Sequence, residues 1–264
     1  MSRLHEAFAA ARAEDRAALI GYLPAGFPSI DGAIDAVRAM VENGVDVVEI
    51  GLPYSDPLMD GPTIQAASEA ALRGGITTQG VLATVEAVAA TGAPTLVMTY
   101  WAPVERYGVD AFATDLAAAG GVGVITPDLT PEEAGPWITA TDAAGLDRVF
   151  LVAPSSSPER IDVVCSITTG FVYAASLMGV TGVQSVSAAA PALVERTRPH
   201  TSLPVAVGLG VSTAAQAVDV ARYADGVIVG SAFVRLLLDA ATPADGVAAV
   251  GRLAADLARG VRGG

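Results

Sequence analysis

Residues Val45–Gln65 read VDVVEIGLPYSDPLMDGPTIQ, an apolar run that opens into a loop rich in glycine, proline and aspartate. The run Val45–Ile50 is β-branched and almost continuously apolar, which is typical of a strand buried on both faces. Glu49 lies near the carboxyl end of this strand. A buried carboxylate is costly unless it has partners or holds a proton, so Glu49 indicates chemistry more than stability. Asp46 lies on the other strand face and nearer the amino end, where a stabilising role is expected.

Strand-like and helical patterns alternate through the rest of the chain. Apolar strand-like runs occur at Ala18–Leu23, Val45–Ile50, Thr95–Thr99, Val122–Thr126, Arg148–Ala153, Gly170–Ala174, Val205–Gly208 and Gly226–Val229. Helical spacing occurs between them at Ile30–Asn43, Thr63–Arg73, Val109–Ala119, Pro131–Ala144, Pro158–Ser166, Pro191–Arg198, Thr213–Arg222 and Phe233–Leu238.

About eight strand–helix units in roughly 250 residues predict an α/β fold of the (β/α)₈ TIM-barrel type. We expect residues 1–264 to form one TIM-barrel domain with extra helices at the N-terminus, at Thr78–Ala90 and at Ala244–Arg259. A doubly wound open sheet is the main rival, because it has the same alternation.

Composition narrows the class of function. The net charge of −13 disfavours nucleic acid and anionic membranes as partners, and no apolar segment is long enough to span a bilayer. The single cysteine, Cys165, suits a reducing compartment, so we expect a cytoplasmic protein. All 15 Lys+Arg residues are arginine, which excludes a lysine Schiff base with pyridoxal phosphate on this chain. With only two histidines and no ligand spacing, no metal site is expected, and acid–base catalysis by carboxylates remains.

The site of a barrel enzyme lies at the carboxyl ends of the strands. The candidates at those ends are Tyr22, Glu49, Tyr100, Asp128 and Tyr173. Glycine turns follow the last three strands, and the helix starts beside them predict a phosphate site built from backbone N–H groups; these turns are Gly179–Gly182, Gly208–Ser212 and Gly230–Ser231. Asp60 makes a plausible second acid beside Glu49. An aspartate in such a string more often forms a turn, so the residues alone leave its role open.

Six strings resemble the family of tryptophan synthase alpha subunits: VEIGLPYSDPLMDGPTIQAA, VITPDLTPEEA, FLVAPSSSPERI, GFVYAASLMGVTG, PVAVGLGVST and GVIVGSAFVR. The likeness runs from about Leu19 to about Val234. It implies retro-aldol cleavage of indole-3-glycerol phosphate to indole and glyceraldehyde 3-phosphate. It also implies that Glu49 is the acid/base residue and Asp60 the second catalytic carboxylate. The substrate-binding residues implied by the resemblance are Tyr22, Tyr173, Thr181, Gly182, Leu209, Gly210, Gly230 and Ser231.

The resemblance further implies no cofactor on this chain and a pyridoxal-phosphate beta subunit as partner, in an α₂β₂ complex. Pro53 and Asp56 match the family's interface loop. Three departures from the family pattern, at Ala102, Leu209 and Phe27, predict altered pocket packing or partner contacts. Alternatives are a free-standing lyase that releases indole, a non-catalytic barrel partner, and a sugar-phosphate isomerase, which the SDPLMDGPTIQ string disfavours.

Overall fold

Every strand pairing in the structure, a computed structural model that describes residues 2–175, 189–208 and 210–263, is parallel. The strands are β1 (Ala18–Pro24), β2 (Val47–Gly51), β3 (Thr95–Met98), β4 (Gly123–Ile125), β5 (Asp147–Val149), β6 (Leu151–Val152), β7 (Val172–Ala175), β8 (Val205–Gly208) and β9 (Gly226–Val229). The helices are α1 (Arg3–Ala13), α2 (Ile30–Glu42), α3 (Pro62–Arg73), α4 (Thr78–Ala89), α5 (Trp101–Tyr107), α6 (Val109–Ala118), α7 (Gly135–Ala144), α8 (Pro158–Ile167), α9 (Ala189–Thr197), α10 (Ala214–Ala221), α11 (Ser231–Leu238) and α12 (Pro243–Val261), with a 3₁₀ turn at Arg198–His200.

The sheet closes into a barrel through β5 and β6, which together form one segment interrupted at Phe150. Its order is β5-β4-β3-β2-β1-β9-β8-β7-β6, and the two ends of that order are consecutive segments separated only by Phe150. Val149 pairs with Ile125 on one side, and Leu151 pairs with Tyr173 on the other. The predicted (β/α)₈ barrel is therefore confirmed, and the open doubly wound sheet is wrong.

Helix α1 closes the amino end of the barrel. Leu4 and Phe8 of this helix are buried in one cluster with interior side chains such as Ile20 and Val47. The space beside Gly170 is occupied by Leu4, whose Cδ2 lies 2.8 Å from where a Cβ would stand. Burying a large apolar side chain stabilises the fold by about 2 kcal/mol, so this plug stabilises the barrel and leaves the carboxyl end for a site.

Asp46 has the structural role that its position predicts. Its two carboxylate oxygens accept from the Arg16 guanidinium at 2.6 and 2.9 Å, and one also accepts from the Leu19 N–H at 2.8 Å. These bonds join the start of β1 to the start of β2 at the end of the barrel where α1 packs.

Two helices differ from the sequence prediction. Helix α7 begins at Gly135, because the preceding residues form a turn in which the Ala134 N–H donates to the Pro131 carbonyl. Helix α5 is short and has Pro103 within its first turn, which hides its helical pattern in the sequence. None of the helices within the described residues is both long and apolar enough to cross a membrane.

Candidate active site

Glu49 lies inside the barrel because of strand parity. Val47, two residues earlier, belongs to the interior cluster, whereas Val48 and Ile50 pack between the sheet and the helices. Alternate residues of a strand share a face, so the Glu49 side chain projects into the barrel above Val47. It is 1% exposed, and its Oε1 atom has no hydrogen-bond partner among the described residues. A buried carboxyl with an unpartnered oxygen is a candidate functional group.

Burial alone raises the pKa of Glu49 to about 8. No cation or hydrogen-bond donor opposes this effect among the described groups that act on its pKa. A carboxyl with this pKa holds its proton at neutral pH, which is the protonation state that a general acid requires.

Two tyrosines flank Glu49 inside the barrel. Tyr22 pairs with Glu49 in register across β1 and β2, and Tyr173 stands on β7. Burial raises the pKa of both phenols well above the ordinary value, and the Glu49 charge raises each further. A Cβ at Gly51 would lie 2.3 Å from the Tyr22 hydroxyl oxygen, and one at Gly208 would lie 2.2 Å from that of Tyr173. Glycine at these strand ends thus leaves room for the phenols.

Asp60 lies in the loop between β2 and α3 and faces the same region. Its Oδ1 atom accepts a hydrogen bond of 3.1 Å from the Tyr100 hydroxyl, and its carbonyl accepts one of 2.8 Å from the Gln65 amide. Burial raises the pKa of Asp60, and the Tyr100 hydrogen bond opposes that rise. The Asp60 charge also raises the pKa of Tyr22, as does that of Glu49, so both acids act on one phenol.

The glycine turns after β8 and β9 stand at the same carboxyl edge. Gly210 has a φ of +68°, a conformation that glycine adopts without strain. Gly230 precedes α11, and a Cβ there would lie 3.0 Å from Cδ1 of Tyr22. Helix α11 begins at Ser231, and its N-cap residue supplies no side-chain cap. The positive end of this helix is suited to bind an anion beside the tyrosine.

The structure describes part of the predicted site. Thr181, Gly182 and Leu209 lie outside the described residues. Leu209 is one of the three departures from the family pattern. The other two are described: Ala102 is exposed on α5, and Phe27 is buried in the core. Within the described part of the chain, no group of three or more histidine, cysteine or acidic residues has the geometry to hold a metal ion.

Sequence reasoning placed Tyr100 and Asp128 at strand ends without finding what they contact. Tyr100 binds Asp60, and Asp128 accepts from the Trp101 N–H. The available signal was their place directly after β3 and β4, because the ends of neighbouring parallel strands meet at one edge of the sheet.

Comparisons with known proteins agree on one family. A sequence model described as "Tryptophan synthase alpha chain" matches residues 8–261. The alpha chain of Acidothermus cellulolyticus is 60% identical over 263 residues, covering 99% of this chain and 98% of the relative. A solved tryptophan synthase structure from Mycobacterium tuberculosis has a TM-score of 0.94 at 56% identity, covering 100% of this chain and 99% of that chain. The alpha subunit from Legionella pneumophila has a TM-score of 0.91 at only 32% identity, covering 99% and 98%.

The raised pKa of Glu49 makes the stability of the protein depend on pH. Between the ordinary glutamate pKa of 4.5 and the folded-state pKa of about 8, the folded state binds more protons than the unfolded state. The Glu49 contribution is therefore fully present below pH 4.5 and is lost as pH rises to 8. Glu49→Gln removes this titration, so its free energy of unfolding relative to wild type should rise by up to about 4 kcal/mol over that range.

Urea unfolding at pH 4.5 and pH 8 measures this difference. Glu69→Gln, at an exposed position on α3, serves as the control and should follow the wild-type pH dependence. Parallel pH profiles for Glu49→Gln and wild type would contradict a raised pKa at Glu49.

Proposed function

The chain belongs to the tryptophan synthase alpha chain family, lyases that cleave indole-3-glycerol phosphate, and we propose that Glu49 and Asp60 carry out this cleavage. One observation carries the assignment of Glu49: a carboxyl 1% exposed inside the barrel, with an oxygen that no described residue binds. The non-catalytic alternative gains no support from the site, because both acids and the glycine turns are retained.

The chemistry requires a proton donor and then a base. Indole is a poor leaving group until its C3 atom is protonated, and protonated Glu49 supplies that proton. The resulting Glu49 carboxylate then accepts the proton of the side-chain hydroxyl next to the ring. The carbon–carbon bond breaks, its electron pair restores the aromatic indole, and the former hydroxyl carbon becomes the aldehyde of glyceraldehyde 3-phosphate. Glu49 thus donates one proton to C3 and accepts one from the hydroxyl group, so it ends the reaction protonated as it began.

Asp60 has an electrostatic role in this proposal. Protonation at C3 places positive charge on the ring nitrogen, which an ionised Asp60 stabilises. The Tyr100 hydrogen bond favours the ionised form of Asp60, since it opposes the effect of burial on the pKa. Tyr22 and Tyr173 border the indole ring, and their raised pKa values keep the phenols neutral beside it.

The phosphate end of the substrate is assigned to main-chain groups. Gly210, Gly230 and the start of α11 at Ser231 are at the appropriate strand ends, and the lack of lysine fits binding by N–H groups. Thr181, Gly182 and Leu209 complete the pocket by resemblance alone.

Membership of the family implies a beta-subunit partner. We assign an α₂β₂ assembly in the cytoplasm. We assign pyridoxal phosphate to the partner, because a chain without lysine cannot form a Schiff base with it. The loop after β2 supports a contact there: Leu58 is 77% exposed, an unusual state for a large apolar side chain, and Pro53 and Asp56 lie in the same loop.

Removing either acid tests the catalytic assignment. Glu49→Gln should lower kcat for indole release by about 10³-fold, since it can neither donate nor accept the proton. Asp60→Asn should lower it by about 10²-fold, through lost electrostatic stabilisation.

Wild-type kcat/KM should fall as pH rises above about 8, where Glu49 loses its proton. A spectroscopic assay of indole measures all three, with Asp56→Asn, in the exposed part of the loop, as the control in the isolated chain. Near-normal cleavage by Glu49→Gln would overturn the assignment.

The free-standing lyase uses the same acids and differs in its response to a partner. Indole release by the full-length chain should accelerate at least about tenfold when a beta subunit is added, because the partner favours the catalytically competent state. High activity that the partner leaves unchanged would favour the free-standing lyase.

A further inference from the structure

Asp128 caps a helix that it does not belong to. It lies in the loop after β4, and its two carboxylate oxygens accept from the Trp101 N–H at 2.9 and 3.1 Å. Trp101 is the first residue of α5, and the N-cap residue Tyr100 provides no side-chain cap. A carboxylate at a helix N-terminus both satisfies an N–H group and interacts favourably with the helix dipole. The start of α5 therefore depends on a residue from the neighbouring loop.

Tyr100 connects this helix start to Asp60. Its side chain is buried, and its hydroxyl accepts from the Met59 N–H at 3.0 Å and donates to Asp60 Oδ1 at 3.1 Å. A phenol has a single proton, so the Met59 contact leaves that proton for Asp60. The Tyr54 ring lies 5.5 Å from the Tyr100 ring and packs the same loop against it. The direction of the Asp60 carboxylate thus depends on where Tyr100 stands.

The start of helix α5 is also held by packing and by one side-chain bond: Trp101 packs against the core, and the Tyr100 carbonyl accepts from the Thr99 hydroxyl at 2.9 Å. Val104 is the one residue that is buried within this helix of seven residues. The Trp101 ring packs edge-on against the Trp137 ring, with 5.7 Å between the ring centroids. This contact orients the Trp101 ring but does not bind the Trp101 N–H group. The Trp101 N–H belongs to the peptide bond between Tyr100 and Trp101, and it donates to the Asp128 carboxylate. Loss of that bond would leave the Trp101 N–H without its Asp128 acceptor and let the backbone that carries the Tyr100 phenol shift.

We propose that Asp128 is a positioning residue for the cleavage, acting through the Trp101 N–H and Tyr100 on the carboxylate of Asp60. The proposal rests on the proposed role of Asp60 in the reaction. In this scheme Asp128 binds the Trp101 N–H and not the substrate, and its effect is to keep Asp60 directed at the indole nitrogen. Burial raises the pKa of Asp128, and the hydrogen bond from the Trp101 N–H opposes that rise, which favours the charged form that caps best.

Kinetics of the full-length chain test the proposal. Asp128→Ala should lower kcat for indole release about tenfold and change KM for indole-3-glycerol phosphate less than about twofold. Asp128→Asn keeps an acceptor oxygen for the Trp101 N–H and should recover part of the loss. Tyr100→Phe should lower kcat similarly. Because both residues act on Asp60 by one route, the double variant Asp128→Ala/Tyr100→Phe should be no slower than the slower single variant.

Thr242→Ala provides the matched control. Thr242 caps α12 by accepting from the Asp245 N–H at 3.2 Å, on a helix that contributes nothing to the proposed site. This variant should lose thermal stability as Asp128→Ala does but keep the wild-type kcat. Wild-type kcat in Asp128→Ala, or losses that multiply in the double variant, would overturn the proposal.

The variants also keep the proposal testable if one of them fails to fold, and they separate it from the proposed function. If Asp128→Ala does not fold, Tyr100→Phe decides: a lowered kcat with unchanged KM supports positioning through Tyr100, and an unchanged kcat overturns it. Full activity in Asp60→Asn would overturn the role of Asp60 and the positioning proposal with it. An impaired Asp60→Asn beside a fully active Asp128→Ala would overturn the positioning role alone.

Discussion

The desolvation of one carboxyl group, Glu49, is the constraint on which the site depends. Its strand places it on the interior face of the barrel, where its Oε1 atom meets no described donor and its pKa rises to about 8. A paired carboxylate would be ionised at neutral pH and could not donate a proton. Stability is sacrificed at this position for a group that can act as acid and then as base, as active sites commonly require.

Asp46 and Glu49 show how the same short segment treats two acids differently. Asp46, at the closed end of the barrel, binds the Arg16 guanidinium through both oxygens. Glu49, at the open end, has neutral phenols beside it. Helix α1 fills the closed end with Leu4 and Phe8, so chemistry is confined to the other. The fold therefore separates an acid paired with arginine from an acid that no described cation binds.

Much of this arrangement follows from sequence pattern. The alternation of apolar runs predicted the barrel, since strand and helix periods differ, and a β-branched run around Glu49 predicted its burial. Contacts between side chains distant in sequence did not follow. The Tyr100–Asp60 bond and the Asp128 cap depend on how neighbouring loops meet, which local patterns do not encode. The helix start predicted at Pro131 was wrong for a local reason: Pro131 lies in a turn in which the Ala134 N–H donates to the Pro131 carbonyl, and α7 begins at Gly135.

The central claim is that Glu49 is protonated at neutral pH in the folded protein. Carbon-13 NMR of the glutamate side-chain carboxyl groups, with the Glu49 signal assigned by its loss in Glu49→Gln, measures this directly across pH 4 to 10. The account predicts a midpoint at about 8 for this signal. A midpoint near the ordinary value of 4.5 would contradict it.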